Sequence, residues 1–546
     1  MGILNKLKDQ FQSPSPSYDF PSSTHPTPLG PNAVFRYRYQ RGVNLGSWFT
    51  LERWIASHPF RNAAQPGQSD FDVASGKDAK KVLEEHWDTW MNEGDWRWIK
   101  ERGFNSVRIP ISYYHLCGPL PEVLKGTEFE PYHHIFEGAW GRIKQAIEMA
   151  GYFGLGVLIA HSGLSKGKIG FWDKHSNLAS TSLALRFLAS ELSRIPHVVG
   201  LELLNEPANN SKLQGWYHSI IAEIRGIVPS DFPLYISDAW DTQHYAGFVG
   251  ARDDFVVLDH HLYRCFTEQD RQKDGYAHAN EIRSGFRRSF SGQSDAAKGN
   301  IVTGEWSGSL DPRSFPPNIP DTQKDAHRRE FVKAQLELFE EKTAGYWFWT
   351  YKKQDGWDAG WSAKDAGRAE ILPQWVGGKR YRGEPPVGVK DGEIKGAYGG
   401  SSLASLPLCF LIIHLLLAIN LYFGTGSSVN PPRSSSSPKH NFSIFQKRDL
   451  ELTHTHTDAH TSYWSSHGGS PDPTVFAPGF SQGWDDSLLF LSHPSGPSKL
   501  GFTDQWMKKR KIEFESGAHK KLGKAAWEWE HGFRQGVEAS LKVCTV

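Results

Sequence analysis

Two kinds of apolar pattern alternate between Arg41 and Lys352. Short runs of strand type recur as RGVNLG from Arg41, FNSVRIPIS from Phe104, GVLIA from Gly156 and VVGLELLNE from Val198. They continue as LYISDA from Leu234, FVVLDHHLY from Phe255, NIVTGEW from Asn300 and YWFWTYK from Tyr346. Most gaps between them carry apolar residues at helical spacing, as in AKKVLEEHWDTWMNEGDWRWIKERG from Ala79 and HHIFEGAWGRIKQAIEMAGYFG from His133. Apolar runs with little alternation are what strands buried on both faces require, and helices between them make parallel pairing possible. Eight such units over roughly 310 residues predict an α/β fold, a (β/α)8 TIM barrel with enlarged loops. The gap between the fifth and sixth strands is short for a helix, which makes that connection the weakest element of the pattern.

The text outside the barrel is of another kind. Residues 1–33 are rich in Ser and Pro and read as a disordered leader. The barrel and its trailing loops take 34–395, and 396–457 is a low-complexity insert. Within it the run 403–423, free of Asp, Glu, Lys and Arg, is long enough to cross a bilayer, although Pro407, His414 and Asn420 interrupt it. Residues 458–546 resume globular text; Thr503 to Lys542 reads as an amphipathic helix packing on the barrel, without chemistry of its own.

Composition removes several classes of function. Of 546 residues, 61 are Lys or Arg and 60 are Asp or Glu, so the net charge of +1 provides no field to gather nucleic acid. Cys117, Cys265, Cys409 and Cys544 are too scattered for a metal site or a disulfide framework and are expected as free thiols. His454, His456 and His460 in THTHTDAH have the right type for metal ligands but no evident supporting shell, so no metal and no cofactor is expected. Lys6, Lys8 and Asp9 stand where a secretory signal would need an apolar run, which favours the cytoplasm; membrane association through 403–423 is the alternative. A monomer is expected. The 21 Trp suit sugar rings as well as they suit a core.

Candidate chemistry comes from strand ends. Active groups of such barrels sit at the C-terminal ends of the strands, and the sequence puts Glu206 there on the fourth and Glu305 on the seventh. These two strands face each other across the mouth, so two carboxylates can flank one scissile bond, as glycoside hydrolysis needs. Carboxyl groups about 5 to 5.5 Å apart would mean retention of configuration, and about 6.5 to 9.5 Å inversion.

The motifs RGVNLGSWFTLERW, NSVRIPISYYH, LLNEP, LDHHLYRCF, GEW and GYWFWTYK, in this order from Phe35 to Trp361, resemble glycoside hydrolase family 5 and most closely its fungal exo-β-1,3-glucanase branch. The resemblance implies that Glu206 is the acid/base and Glu305 the nucleophile of a retaining mechanism. It further implies that Asn205 binds the sugar 2-hydroxyl, that Arg108 keeps Glu305 ionised, and that His261 and Tyr263 serve the sugar and the nucleophile. Glu52 matches a residue binding terminal-glucose hydroxyls and Trp349 the platform beneath the glucose; Trp357 and Trp361 are weaker candidates for the acceptor side. The implied substrate is a β-glucan or another β-glucoside, a glycolipid included. A catalytically impaired carbohydrate-binding or membrane-tethered protein is the alternative from another class.

Two features depart from the family. The third strand, GVLIAHSGLSKGKIGFW, is too short for the family's Asp-Leu-His motif and its loop, so His161 is given no sugar-binding role and a distorted barrel mouth is expected. The 396–457 insert has no counterpart there. A missing coding piece near Ala160 and a translated noncoding piece near residue 400 would account for both.

Overall fold

The computed structural model describes residues 31–162, 170–377, 440–493, 497–518 and 521–544. Eight strands close into one parallel barrel in sequential order: β1 (Gln40–Asn44), β2 (Ser106–Ser112), β3 (Gly156–Ser162), β4 (Val198–Glu202), β5 (Leu234–Ser237), β6 (Val256–Leu262), β7 (Ile301–Trp306) and β8 (Gly345–Phe348). β8 returns to pair with β1 from Gln40 to Val43, so no edge is left open. Apart from His260, which is partly covered, every strand residue is buried, as the continuous apolar runs required.

Helices follow the strands. α1 (Pro31–Tyr37) precedes β1; α2 (Ala79–Thr89) and α3 (Glu93–Glu101) lead to β2. α4 (Ala139–Tyr152), α5 (His175–Leu192), α6 (Leu213–Arg225), α7 (Thr242–Gly250), α8 (Arg287–Ala296) and α9 (Asp321–Lys342) fill the later gaps. α3 opens with a reciprocal cap between Asn92 and Asp95, satisfying two end groups at once. The short gap after β5 does hold a helix: α7 needs nine residues, and the Asp241 side chain accepts from the His244 amide to start it.

The strand β3 itself is fully formed, while residues 163–169, where the distorted barrel mouth was expected, lie outside the described residues. β3 pairs with β2 along all seven of its residues and with β4 from Val157 to Ala160. Near the end of the strand the His161 carbonyl accepts the Asn205 amide at 2.8 Å, which ties it to the loop after β4. The strand backbone is paired up to Ser162, which lets β3 take its place in the closed barrel.

The C-terminal residues form α11 (His440–Ser466), α12 (Pro473–Leu491), α13 (Thr503–Gly517) and α14 (Ala526–Cys544), numbering α10 (Ala363–Arg368) after β8. The single helix expected over Thr503 to Lys542 is therefore two, parted around Gly523, whose φ of +56° suits glycine. α11 also runs across the expected border at 457, and α1 across the one at 33. α12 and α14 cross closely because Gly479, Gly483, Gly532 and Gly536 face backbone: a Cβ on any of them would lie 2.0 to 2.3 Å from a carbonyl oxygen of the other helix.

This helical module closes the barrel floor, the N-terminal ends of the strands. Phe35 and Tyr37 of α1, Phe490, Phe502, Trp506, Trp529 and Phe533 pack against Leu158, Tyr235, Val257, Val302 and Trp347 of the strands. Hydrogen bonds frame that plug, from the Tyr39 amide to the Lys499 carbonyl at 2.8 Å and from the Gly501 amide to the Tyr37 carbonyl at 2.9 Å. Arg38 and Leu500 form an antiparallel bridge. Among the described residues no helix is long and apolar enough to cross a membrane; 403–423 lies outside them. Cys117, Cys265 and Cys544 take part in no disulfide, and Cys409 falls outside the described residues.

Candidate active site

At the opposite end the strands present charge. Arg108 of β2 is fully buried and reaches four partners: Glu202 at 2.7 Å, Glu305 and Asn44 at 2.8 and 2.9 Å, and the Asn205 side-chain oxygen at 2.5 Å. Burial works against its charge, but Glu202, Glu305 and Asp259 outweigh that and hold the guanidinium above its ordinary value. Because Asn205 accepts from Arg108 with its oxygen, its amide N–H groups remain the donors it can offer.

Glu305 at the end of β7 is buried, with one oxygen on Arg108 and the other accepting the Tyr263 hydroxyl at 2.8 Å. Register shifts lie between His260 and His261 on β6 and between Thr303 and Trp306 on β7, beside both functional side chains. Such irregularities re-aim side chains next to active sites. Glu206, just beyond β4, has a φ of 41°, a left-handed conformation that costs a non-glycine residue roughly 1 to 3 kcal/mol. Its carboxylate is 33% exposed and lies 2.8 Å from His261 Nδ1. His261 Nδ1 is also 3.5 Å from Glu305. One oxygen each of Glu206 and Glu305 and one His261 nitrogen all lie within 4.8 Å of one another.

Arg108 acts on Glu305 in the expected direction, but burial acts against it. Burial raises the Glu305 carboxyl more than His261 and Arg108 lower it, so the net displacement is upward. Glu206 moves the other way: burial pushes it up, but the His261 hydrogen bond and charge, helped by Arg108, bring it below its usual range. His261 itself is held well above the ordinary imidazole value, since Glu305, Asp259 and Glu206 overcome its burial. The surrounding carboxylates thus favour the charged form of this imidazole.

The remaining predicted residues line the rim. Glu52, half-buried, accepts the Trp54 indole N–H at 2.7 Å; burial pushes its carboxyl up to about 8, with Glu305, Glu206 and Asp70 adding to it. Trp349 follows β8, buried, its ring against Gly46. Trp361 joins Tyr263 and Trp54, each with ring centroids 5.4 Å away, while Trp357 stands 61% exposed. Phe266 packs on Tyr263 and is 63% exposed, an aromatic rim member the sequence reading did not single out. Asn44, Glu202 and Asp259 were missed as well, although acids inside the otherwise apolar runs VVGLELL and FVVLDHH were a visible signal.

Two sets of donors, Glu202 with Asp259 and His261, and Glu206 with His261 and Glu305, have the types a metal would use. Arg108 already supplies a positive charge to both, 2.7 Å from Glu202 and 2.8 Å from Glu305, so the donor chemistry is that of an ion-pair network. His456 and His460 on α11 instead bond Gln535 and Glu528.

A closed (β/α)8 barrel with two acidic side chains converging at its mouth on an Arg, a His and a Tyr defines a barrel glycoside hydrolase. Residues 74–355 match the family described as cellulase (glycosyl hydrolase family 5), and the chain belongs to that family, as an O-glycosyl hydrolase. Residues 445–544 match the glucan 1,3-beta-glucosidase 3 C-terminal domain. The chain is 28% identical to glucan 1,3-beta-glucosidase 3 of Schizosaccharomyces pombe over 92% of its own length and 95% of the relative's. It is 30% identical to probable glucan 1,3-beta-glucosidase A of Neosartorya fischeri, over 58% of this chain and 84% of that one. The first likeness takes in the helical module and the second extends little beyond a barrel's length. A crystal structure of AoRut superposes with a TM-score of 0.50 at 16% identity, covering 62% of this chain and 98% of that one, which concerns the fold alone.

Proposed function

We propose that the protein is a retaining, exo-acting hydrolase of β-1,3-linked glucan, with Glu305 as nucleophile and Glu206 as acid/base. The observation that carries this reading is the approach of the two acids: oxygens within 4.8 Å suit direct attack on the anomeric carbon and leave little room for the intervening water of an inverting enzyme. The environments suit the two roles. Glu305, fixed at both oxygens by Arg108 and Tyr263, cannot swing away and presents a set face to the sugar. Glu206 is the more open acid, able to meet a leaving oxygen that departs toward solvent. Asn205 offers its amide to the 2-hydroxyl, a contact that strengthens as positive charge develops on the ring.

Glu52 and Trp349 are assigned to the terminal glucose. A carboxyl held near 8 is protonated over much of the working range and can donate as well as accept to sugar hydroxyls. The names of the relatives support the β-1,3 linkage.

Incubation with a 2-deoxy-2-fluoro β-glucoside followed by peptide mass mapping tests the assignment. A glucosyl adduct on Glu305 is expected, and hydrolysis of laminarin-type oligomers should vanish in Glu305→Gln. An adduct on another residue, or release of inverted α-glucose, would overturn it.

A further inference from the structure

Asp259 sits inside the barrel on β6, fully buried, and belongs to none of the roles assigned above. Its Oδ1 accepts the Gly304 amide at 2.6 Å, one residue before Glu305, while the Gly304 carbonyl accepts the Asn44 side chain at 2.8 Å. The peptide ahead of the nucleophile is therefore gripped on both sides. Gly304 is what lets the carboxylate come so close: a Cβ there would lie 2.1 Å from Oδ1. The other oxygen, Oδ2, faces His261 Nε2 at 3.6 Å and Arg108 Nε at 4.0 Å. Asp259 Oδ2 and His261 Nε2 are both buried without a hydrogen-bond partner, and a few tenths of an ångström would make them partners of each other.

We propose that Asp259 is a positioning residue that holds His261 as the proton store of the acid/base, so that the proton Glu206 delivers is drawn from His261 Nδ1. This rests on the function proposed above. The groups facing His261 are Asp259 on its own strand, Glu305 from β7, Glu206 beyond β4, with Arg108 of β2 and Glu202 of β4 beside them. In the free enzyme Glu206 is partly open to water, with His261 Nδ1 2.8 Å away. A sugar settling over Glu206 removes that water and raises its proton affinity. The proton then moves from Nδ1 to Oε1 and from there to the leaving oxygen as the glycosidic bond breaks and a Glu305 oxygen bonds the anomeric carbon. His261 is left neutral, keeping its Nε2–H toward Asp259. In the second half-reaction water gives its proton to Glu206 and its oxygen to the anomeric carbon, the ester bond to Glu305 breaks to free its carboxylate, and the proton returns to Nδ1.

The test uses Asp259→Asn, which keeps the size and the Gly304 contact but removes the charge. The alkaline limb of kcat/KM should move down by about one pH unit or more, because the coupled pair binds its proton less tightly. Hydrolysis of β-1,3-linked oligomers should fall roughly 10- to 100-fold, against less than about threefold for the 2,4-dinitrophenyl β-glucoside, whose leaving group needs little acid help. An unmoved pH profile, or equal losses on both substrates, would overturn the proposal. A second measurement covers a variant that does not fold: in the full wild-type chain, the His261 imidazole, assigned by its disappearance in His261→Gln, should be protonated by 15N NMR at pH 7.5. A neutral His261 there would also overturn the proposal. Absence of any β-glucosidase activity in wild type would count against the proposed function alone, since the NMR result does not depend on turnover.

Discussion

The two ends of the barrel treat buried carboxylates in opposite ways. At the floor, Glu340 meets Arg41 at 2.6 Å and Lys499 at 3.0 Å. Burial pushes its carboxyl up, yet these two cations outweigh it and bring it down to about 2. At the mouth, Glu202, Glu206, Asp259 and Glu305 share Arg108 and His261, and Glu52 and Asp70 are both pushed up to about 8 by burial. The floor matches charge with charge inside an apolar plug. The mouth leaves acids in excess of cations, a poor arrangement for stability and a good one for moving protons.

If that contrast is correct, substitutions should sort by end. The largest effect is expected for Glu305→Gln, with activity reduced roughly 10^4-fold or more and the thermal midpoint little changed, as read by steady-state kinetics beside thermal unfolding. Arg108→Met should cost both, because it strands several buried acids: about 3 to 5 kcal/mol in denaturant unfolding, together with most of the activity. On the floor, Trp506→Ala removes a buried ring that also donates to Asp486 at 2.8 Å. It should lose about 3 to 5 kcal/mol while activity per folded molecule stays within about twofold. A Trp506→Ala enzyme that folds normally but has lost turnover would break the division of labour.

The smallest effects concern pH and carry opposite signs. Glu52 and Asp70 bind protons more tightly folded than unfolded, so their contribution is fully present below about pH 4 and is lost as pH rises toward 8. Glu340 binds its proton less tightly folded, so its contribution is present above about pH 4.5 and disappears as pH falls through 2. Melting temperatures should therefore differ less between pH 5 and pH 8 in Glu52→Gln than in wild type. Glu340→Gln should instead blunt the acid limb below pH 4.5.

The same contrast explains what could be read from the sequence. All eight strands were legible because strands covered on both faces must be apolar throughout, and Arg108, Asn205, Glu206, His261, Tyr263 and Glu305 were legible because they lie in or directly beyond such runs. The structure brings these six together. Asp259 and Glu202 belong to the same strands, but their partners come from β2, β6 and β7, and strand spacing does not reveal which acid meets which cation. The sign of the Glu305 displacement was illegible for a related reason: the sequence names the nearby Arg but not the depth of burial that outweighs it. The two helices after Thr503 were read as one because their apolar spacing continues past the break.

The bridge between Arg38 and Leu500 joins positions made far apart in time. During synthesis Phe35 and Tyr37 emerge early, yet their cover, Trp506 and Phe502, follows only after more than four hundred further residues. Until then the lower opening of the nascent barrel exposes aromatic surface, an invitation to chaperones and to misassembly. The last helices thus act as a clasp that ends the growing chain's exposure, and a ribosome stalled before α13 would release a barrel with its floor still open.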